Sequence, residues 1–229
     1  MRRSEGRWQR RDDLKRKLRK IALLLEKEYG VPERRKGIDP LDVLIETILS
    51  QNTNDLNRDR AFGRLKTRFP RWEDLLRARR EAIVTAIRPG GLANQKAMRI
   101  QRILRWIQER GGRLSLSFLE KMETEEVKNV IGGLKGIGPK TVHCLLLFGL
   151  GREAFPIDTH ILRIGKRMGF LPQNMDAEKA HAWMAPLLPK GKSLSLHLNL
   201  IRFGREVCRA RGPLCDACLL AEECLHRSK

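Results

Sequence analysis

Apolar residues recur at helical spacing along almost the whole chain. Leu14, Leu18, Ile21, Leu24 and Leu25 share one face of a first helix. Leu44, Ile45, Ile48 and Leu49 form a second stripe, which ends in the polar run Ser50-Gln51-Asn52-Thr53-Asn54-Asp55. Phe62, Leu65 and Phe69 continue until Pro70 stops the pattern. Trp72, Leu75, Leu76, Ile83 and Ile87 follow, and Gly90-Gly91 breaks the chain. Ile100, Ile103, Leu104 and Ile107 then mark a helix closed by Gly111-Gly112, and Ser117 with Glu120 fits a capping box opening the next element. Leu114, Leu116 and Phe118 alternate as in a strand, as do Leu194, Leu196, Leu198 and Leu200. Leu194, Leu198 and Ile201 equally fit a helix, and no partner strand is evident. The pattern predicts an all-α protein of nine or ten short helices, without repeats or low-complexity linkers.

Charge changes the picture more than size does. In 229 residues, 47 Lys and Arg against 27 Asp and Glu leave a net charge of +20. Such a surplus repels itself and calls for an anionic partner: nucleic acid, an anionic membrane or the ribosome. No apolar run approaches the roughly 18 residues of a membrane-spanning helix. The basic N-terminus lacks the apolar centre of a secretory signal, and five cysteines, four within the last 22 residues, do not make a secreted disulfide scaffold. A soluble intracellular protein is expected.

Three constellations carry chemistry. Cys208, Cys215, Cys218 and Cys224 stand with six, two and five residues between them. Zinc usually takes two tight pairs farther apart. One tight pair flanked by single thiols better suits a cubane cluster whose four irons each need a thiolate, with a zinc knob or free thiols as the alternatives. Arg205, Arg209 and Arg211 make this knob positive. The second constellation is Leu134-Lys135-Gly136-Ile137-Gly138-Pro139-Lys140-Thr141, set between helical stretches. Its two glycines permit a tight hairpin and leave amides at a helix start that bind phosphate without reading sequence; a plain linker is the alternative. The third, Phe155-Pro156-Ile157-Asp158-Thr159-His160, holds an acid that serves as a helix N-cap, a catalytic group, or both. His160 either orients a neighbour or packs, and Cys144 reads as core.

Together, LKGIGPKT, PIDTH and C-x6-C-x2-C-x5-C resemble the endonuclease III branch of the helix-hairpin-helix (HhH-GPD) DNA glycosylases, over roughly Leu41 to Cys224. The resemblance implies a six-helix barrel with the hairpin over residues 41–152, and a discontinuous helical domain from 1–40 and 153–229 that carries a 4Fe-4S cluster, with DNA in the groove between. Cys208, Cys215, Cys218 and Cys224 fall on the cluster ligands, Lys140 on the nucleophilic lysine and Asp158 on the catalytic aspartate. Leu92, in Gly91-Leu92-Ala93-Asn94-Gln95-Lys96, matches the loop that wedges a side chain into the duplex. Gln51 or Asn52 lies where a polar residue fills the gap opposite the flipped base. Lys135, Gly136, Gly138, Thr141 and His160 complete the expected DNA contacts. Lys135 stands where the family usually has proline, and Pro139 where it has a basic residue, which bears on substrate choice.

What the resemblance implies is a monomeric glycosylase and AP lyase of base excision repair, acting on duplex DNA with damaged bases or abasic sites. Oxidised pyrimidine is the expected lesion, with thymine or uracil mismatches and oxidised purines as alternatives. A non-catalytic iron-sulfur DNA-binding protein is the rival of a different class. In a prokaryote the setting would be cytoplasm or nucleoid, with no membrane role.

Overall fold

The computed structural model describes residues 2–35 and 37–226. Among these it is all-helical: eleven α-helices joined by short 3-10 and π turns, with no strand. None of the helices is long and apolar enough to cross a membrane. The chain forms two compact units, residues 35–152 and residues 1–34 with 153–229.

The central unit holds seven helices: α1 belongs elsewhere (Arg2–Tyr29), and the unit runs through α2 (Pro40–Leu49), α3 (Asp55–Arg68), α4 (Trp72–Arg77), α5 (Arg80–Ile87), α6 (Ala93–Gly111), α7 (Thr124–Gly132) and α8 (Pro139–Cys144). Helix α2 buries Leu41, Val43, Leu44, Ile45, Thr47, Ile48 and Leu49, so it is apolar nearly all round and lies inside the unit. Its start is written locally. Asp39 accepts from the Leu41 amide (2.9 Å) and Pro40 takes the first turn, where a missing N–H costs nothing. Asp42 ties α2 to α3 and α4 by accepting from Lys66 Nζ (3.2 Å) and Trp72 Nε1 (3.1 Å). Helix α6 packs Ala97, Ile100, Ile103, Leu104 and Ile107 against its neighbours.

The Ser117–Glu120 capping box does not form. Ser117–Lys121 is a 3-10 turn without a side-chain cap. The box lies six residues on, where Glu123 and Glu126 cap α7 reciprocally and the Glu123 amide donates to Glu126 Oε2 (2.8 Å). The acidic residue at the cap position does there what serine does in the usual pattern.

The second unit packs α1 against α9 (Thr159–Met168), α10 (Ala177–Met184) and α11 (Ser193–Glu206). Its core joins Leu18, Ile21 and Leu25 of α1 to Ile161, Ile164, Met168, Leu196, Leu200 and Phe203. Leu194–Leu200 is helical: α11 buries polar Ser193, Ser195, His197 and Asn199 beside Leu196 and Leu200, and leaves Leu194 and Leu198 half-buried. Glu26 explains part of this: its carboxylate accepts from Lys192 Nζ (2.7 Å) and Ser195 Oγ (2.5 Å), while Asn199 Nδ2 donates to Gly30 O (2.9 Å). Helix α1 runs 28 residues, much longer than the short helices expected.

Candidate functional site

The octapeptide forms a helix-turn-helix. Helix α7 ends at Gly132, and the Ile137 amide donates back to Leu134 O (2.9 Å) to close the turn. Gly136 sits at φ +92°, a backbone region costly to any residue with a Cβ. Gly138 caps α8 in extended conformation and Pro139 occupies the first turn. Ile137 anchors the loop inside, while Lys135, Gly136 and Gly138 are exposed. The first amides of a helix lack intrahelical acceptors and attract anions. Lys140 lies half-buried in this first turn. Thr141 is 3% exposed and its amide donates to Gly138 O (2.9 Å). His143 and Cys144 are buried on the same short helix, Cys144 in the core as expected.

Two loops flank α6. Asn52 (φ +51°) and Leu92 (φ +49°) are the two non-glycine residues with positive φ among the described residues. The left-handed conformation costs roughly 1–2 kcal/mol for a residue with a Cβ. For a bulky leucine it marks a position held by its surroundings. Leu92 is nevertheless 47% exposed, an apolar side chain presented outward at the start of α6. Gln51 is half-buried, and its Oε1 accepts from Arg99 Nη1. Lys96 is 1% exposed; its ammonium donates to Leu49 O and Gly90 O, both at 2.7 Å. Burial, and then the nearby Arg99 charge, pulls Lys96 below the ordinary lysine value. Sequence reasoning gave neither Lys96 nor Arg99 a role. The available signal was a lysine next to Ala97 and Ile100 on the buried face of an amphipathic helix.

In the other unit, Asp158 is the N-cap of α9: Oδ1 accepts from the Ile161 amide (2.8 Å). The carboxylate is half-buried and within electrostatic reach of Arg163. His160 packs against Gly204, whose missing Cβ would lie 2.9 Å from the ring nitrogen, and its Nδ1 meets Arg163 Nη2 at 3.1 Å. The imidazole is therefore engaged within the unit. Arg163, which sequence reasoning overlooked, also donates to Gly204 O (2.9 Å) and twice to Cys208 O (Nε 3.1 Å, Nη2 2.9 Å).

The four C-terminal cysteines are in no disulfide, and all are half-buried. Arg167 Nη1 donates to Cys208 Sγ (3.4 Å) and Arg209 O (2.6 Å). Burial pushes the Cys218 thiol up, opposed by a bond from the Leu220 amide and reinforced by the charges of Cys208, Cys224 and Cys215. Cys218 is thus within electrostatic reach of the other three thiols. Among the described residues no three His, Cys, Asp or Glu side chains meet closely enough for a single metal ion. A donor set of four thiols and no other ligand, with arginine and amide donors around it, fits an anionic iron-sulfur cluster that takes one thiolate per iron.

Residues 45–190 match the HhH-GPD superfamily of base excision DNA repair proteins. The chain is 33% identical to endonuclease III of Thermotoga maritima over 194 residues, covering 84% of this chain and 86% of that one. It is 31% identical to endonuclease III of Sulfolobus acidocaldarius over 214 residues, 89% and 93% of the two chains. A protein of Arabidopsis thaliana, named only provisionally as a DNA glycosylase, is 40% identical over 178 residues; the chain spans 58% of its length. In fold, it superposes on an endonuclease III–DNA complex with a TM-score of 0.78 at 24% identity, covering 93% of this chain and 96% of that one.

Proposed function

The chain belongs to the HhH-GPD superfamily of base excision DNA repair proteins and has an endonuclease III-like fold, and from that premise we propose that it is a bifunctional DNA glycosylase and AP lyase acting on damaged bases, oxidised pyrimidines first among them. The observation that carries the reading is Lys140, half-buried in the first turn of α8 directly after the Gly136–Gly138 hairpin.

A base inside the stack is out of reach, so it has to be extruded, at a cost of a few kcal/mol that is smallest at a damaged pair. Leu92, exposed and apolar, is the wedge that holds the gap. Gln51 or Asn52 fills the space opposite. The amides of Gly136 and Gly138, with Lys135 beside them, grip a phosphate without reading sequence.

Cleavage of the glycosidic bond builds positive charge on the sugar. The Asp158 carboxylate stabilises that charge and takes a proton from the attacking amine. The neutral Lys140 Nζ bonds to C1′ as the base leaves with the glycosidic electron pair. The C1′–O4′ bond of that aminal then opens, O4′ taking a proton, to leave a Schiff base, from which loss of a C2′ proton expels the 3′ phosphate by β-elimination. Cys208, Cys215, Cys218 and Cys224 would hold a 4Fe-4S cluster, which would supply structural order and DNA positioning. Arg163, bonded to Cys208 O and close to Asp158, connects that loop to α9.

Borohydride reduction on duplex DNA bearing an abasic site tests the lyase. Wild-type protein is expected to be trapped covalently; Lys140→Gln is expected to bind the same duplex without trapping. Wild-type protein that cleaves nothing and traps nothing removes the enzymatic reading and leaves a duplex-binding scaffold. Base release across a panel of oxidised pyrimidines, mismatches and oxidised purines assigns the lesion.

A further inference from the structure

Lys96 is among the largest fully buried side chains of the described residues, in a helix whose buried face is otherwise mainly apolar. A core lysine is costly unless its ammonium is fully bonded. Here the partners are two carbonyls far apart in sequence. One belongs to Leu49, the last residue of α2, whose carbonyl has no partner within its own helix. The other belongs to Gly90, just before Gly91-Leu92. The two left-handed residues, Asn52 and Leu92, follow these carbonyls by three and two residues.

One turn along α6, Arg99 donates to Gln51 Oε1. The same guanidinium lies against the hairpin: a Cβ on Gly136 would stand 2.1 Å from Arg99 Nε. Residues at i and i+3 share a helix face, so this one edge of α6 touches the Gln51–Asn52 turn, the Gly90–Leu92 turn and the phosphate-gripping hairpin.

We infer that Lys96 and Arg99 form one positioning device, which sets the spacing and conformation of the three loops that engage the duplex. Neither residue is the wedge or the gap filler. Lys96 fixes the two turns from behind, and Arg99 holds the Gln51 amide by its oxygen, so that the NH2 group is the free end. The idea deepens the function proposed above and rests on it for the claim that these loops meet DNA.

Two measurements separate the device from that function. Amide hydrogen exchange on the free protein needs no DNA. Lys96→Met is expected to accelerate exchange at residues 50–54 and 90–93 together, with the remainder of α3 unchanged, and Lys96→Arg to restore part of the protection. Faster exchange in one loop alone, or in neither, overturns the coupling. The second measurement uses a duplex with a tetrahydrofuran abasic analogue opposite 2-aminopurine, whose fluorescence rises on unstacking. Lys96→Met and Arg99→Met are expected to lose most of that rise and about tenfold of the preference for abasic over intact duplex, roughly the 1.4 kcal/mol of one charge-assisted bond. Affinity for intact duplex is expected to fall less than affinity for the abasic duplex. An undiminished fluorescence rise in both variants overturns the positioning role. A wild-type protein that shows no abasic preference indicts the proposed function, and the device then stands or falls on exchange alone. Should Lys96→Met fail to fold, Arg99→Met carries the test through protection at Gln51, because its side chain is only half-buried.

Discussion

Asp158 offers the sharpest separation of structure from chemistry, because the N-cap bond and the proposed catalysis make opposite demands on its replacement. Oδ1 accepts from the Ile161 amide at 2.8 Å. Asparagine keeps an oxygen there and caps helices about as well as aspartate, whereas alanine costs about 1 kcal/mol. Losing the negative charge at the start of α9 removes a further ~0.3–1 kcal/mol of interaction with the helix dipole. Asp158→Asn is thus expected to unfold within about 1 kcal/mol of wild type. Asp158→Ala is expected to lose about 1–2 kcal/mol, roughly 2–8 °C for a chain of this size. Chemistry orders the variants differently. Neither amide nor methyl can stabilise the sugar cation or take the lysine's proton, so single-turnover base release is expected to fall about 10²- to 10⁴-fold in both. Urea unfolding and base release on one lesion duplex, measured side by side, decide it. If Asp158→Asn releases base at close to the wild-type rate while Asp158→Ala loses stability, the carboxylate is a cap and nothing more.

Gly136→Ala meets both a left-handed backbone and the Arg99 guanidinium 2.1 Å from the new Cβ; a loss of about 2 kcal/mol is expected, with weaker duplex binding by fluorescence anisotropy. Glu26 is 8% exposed; burial would raise its carboxyl, but bonds from Lys192 and Ser195 hold it below the ordinary value of 4.5. A carboxyl depressed by folding stabilises above that value and loses the contribution as pH falls through the folded value. Glu26→Gln is accordingly expected to cost about 1–3 kcal/mol near neutrality, and the gap from wild type to narrow in unfolding titrations below pH 4.5. Cys218→Ser is expected to remove the brown colour and the bound iron and to loosen residues 208–224 to proteolysis; stoichiometric zinc in anaerobically purified wild type would contradict the cluster.

Much of the fold was legible because its signals are local. The stripes of α1, α2 and α6 follow the helical period, and Pro40, Gly136 and Gly138 mark turns through their own restricted or permissive backbones. The capping box was misread because Glu123 takes the place usually held by serine, while Ser117 and Glu120 merely share the spacing. The leucine alternation of residues 194–200 was ambiguous for a related reason. The serines, His197 and Asn199 that alternate with the leucines are buried too, against Glu153, Glu26, the Phe155 ring and Gly30, partners that sequence spacing does not reveal.

The helical class, the hairpin and the spacing of the thiols follow from residues near one another in the chain, and the basic charge is a plain sum over it. Tertiary structure alone decided which polar side chains go inside. Lys96 finds carbonyls 47 and 6 residues away, Arg99 reaches a glutamine 48 residues back, and Arg163 grips a carbonyl 45 residues ahead. A charge is tolerated in a core only where several distant backbone groups happen to converge on it, and convergence is a property of packing that no local pattern encodes.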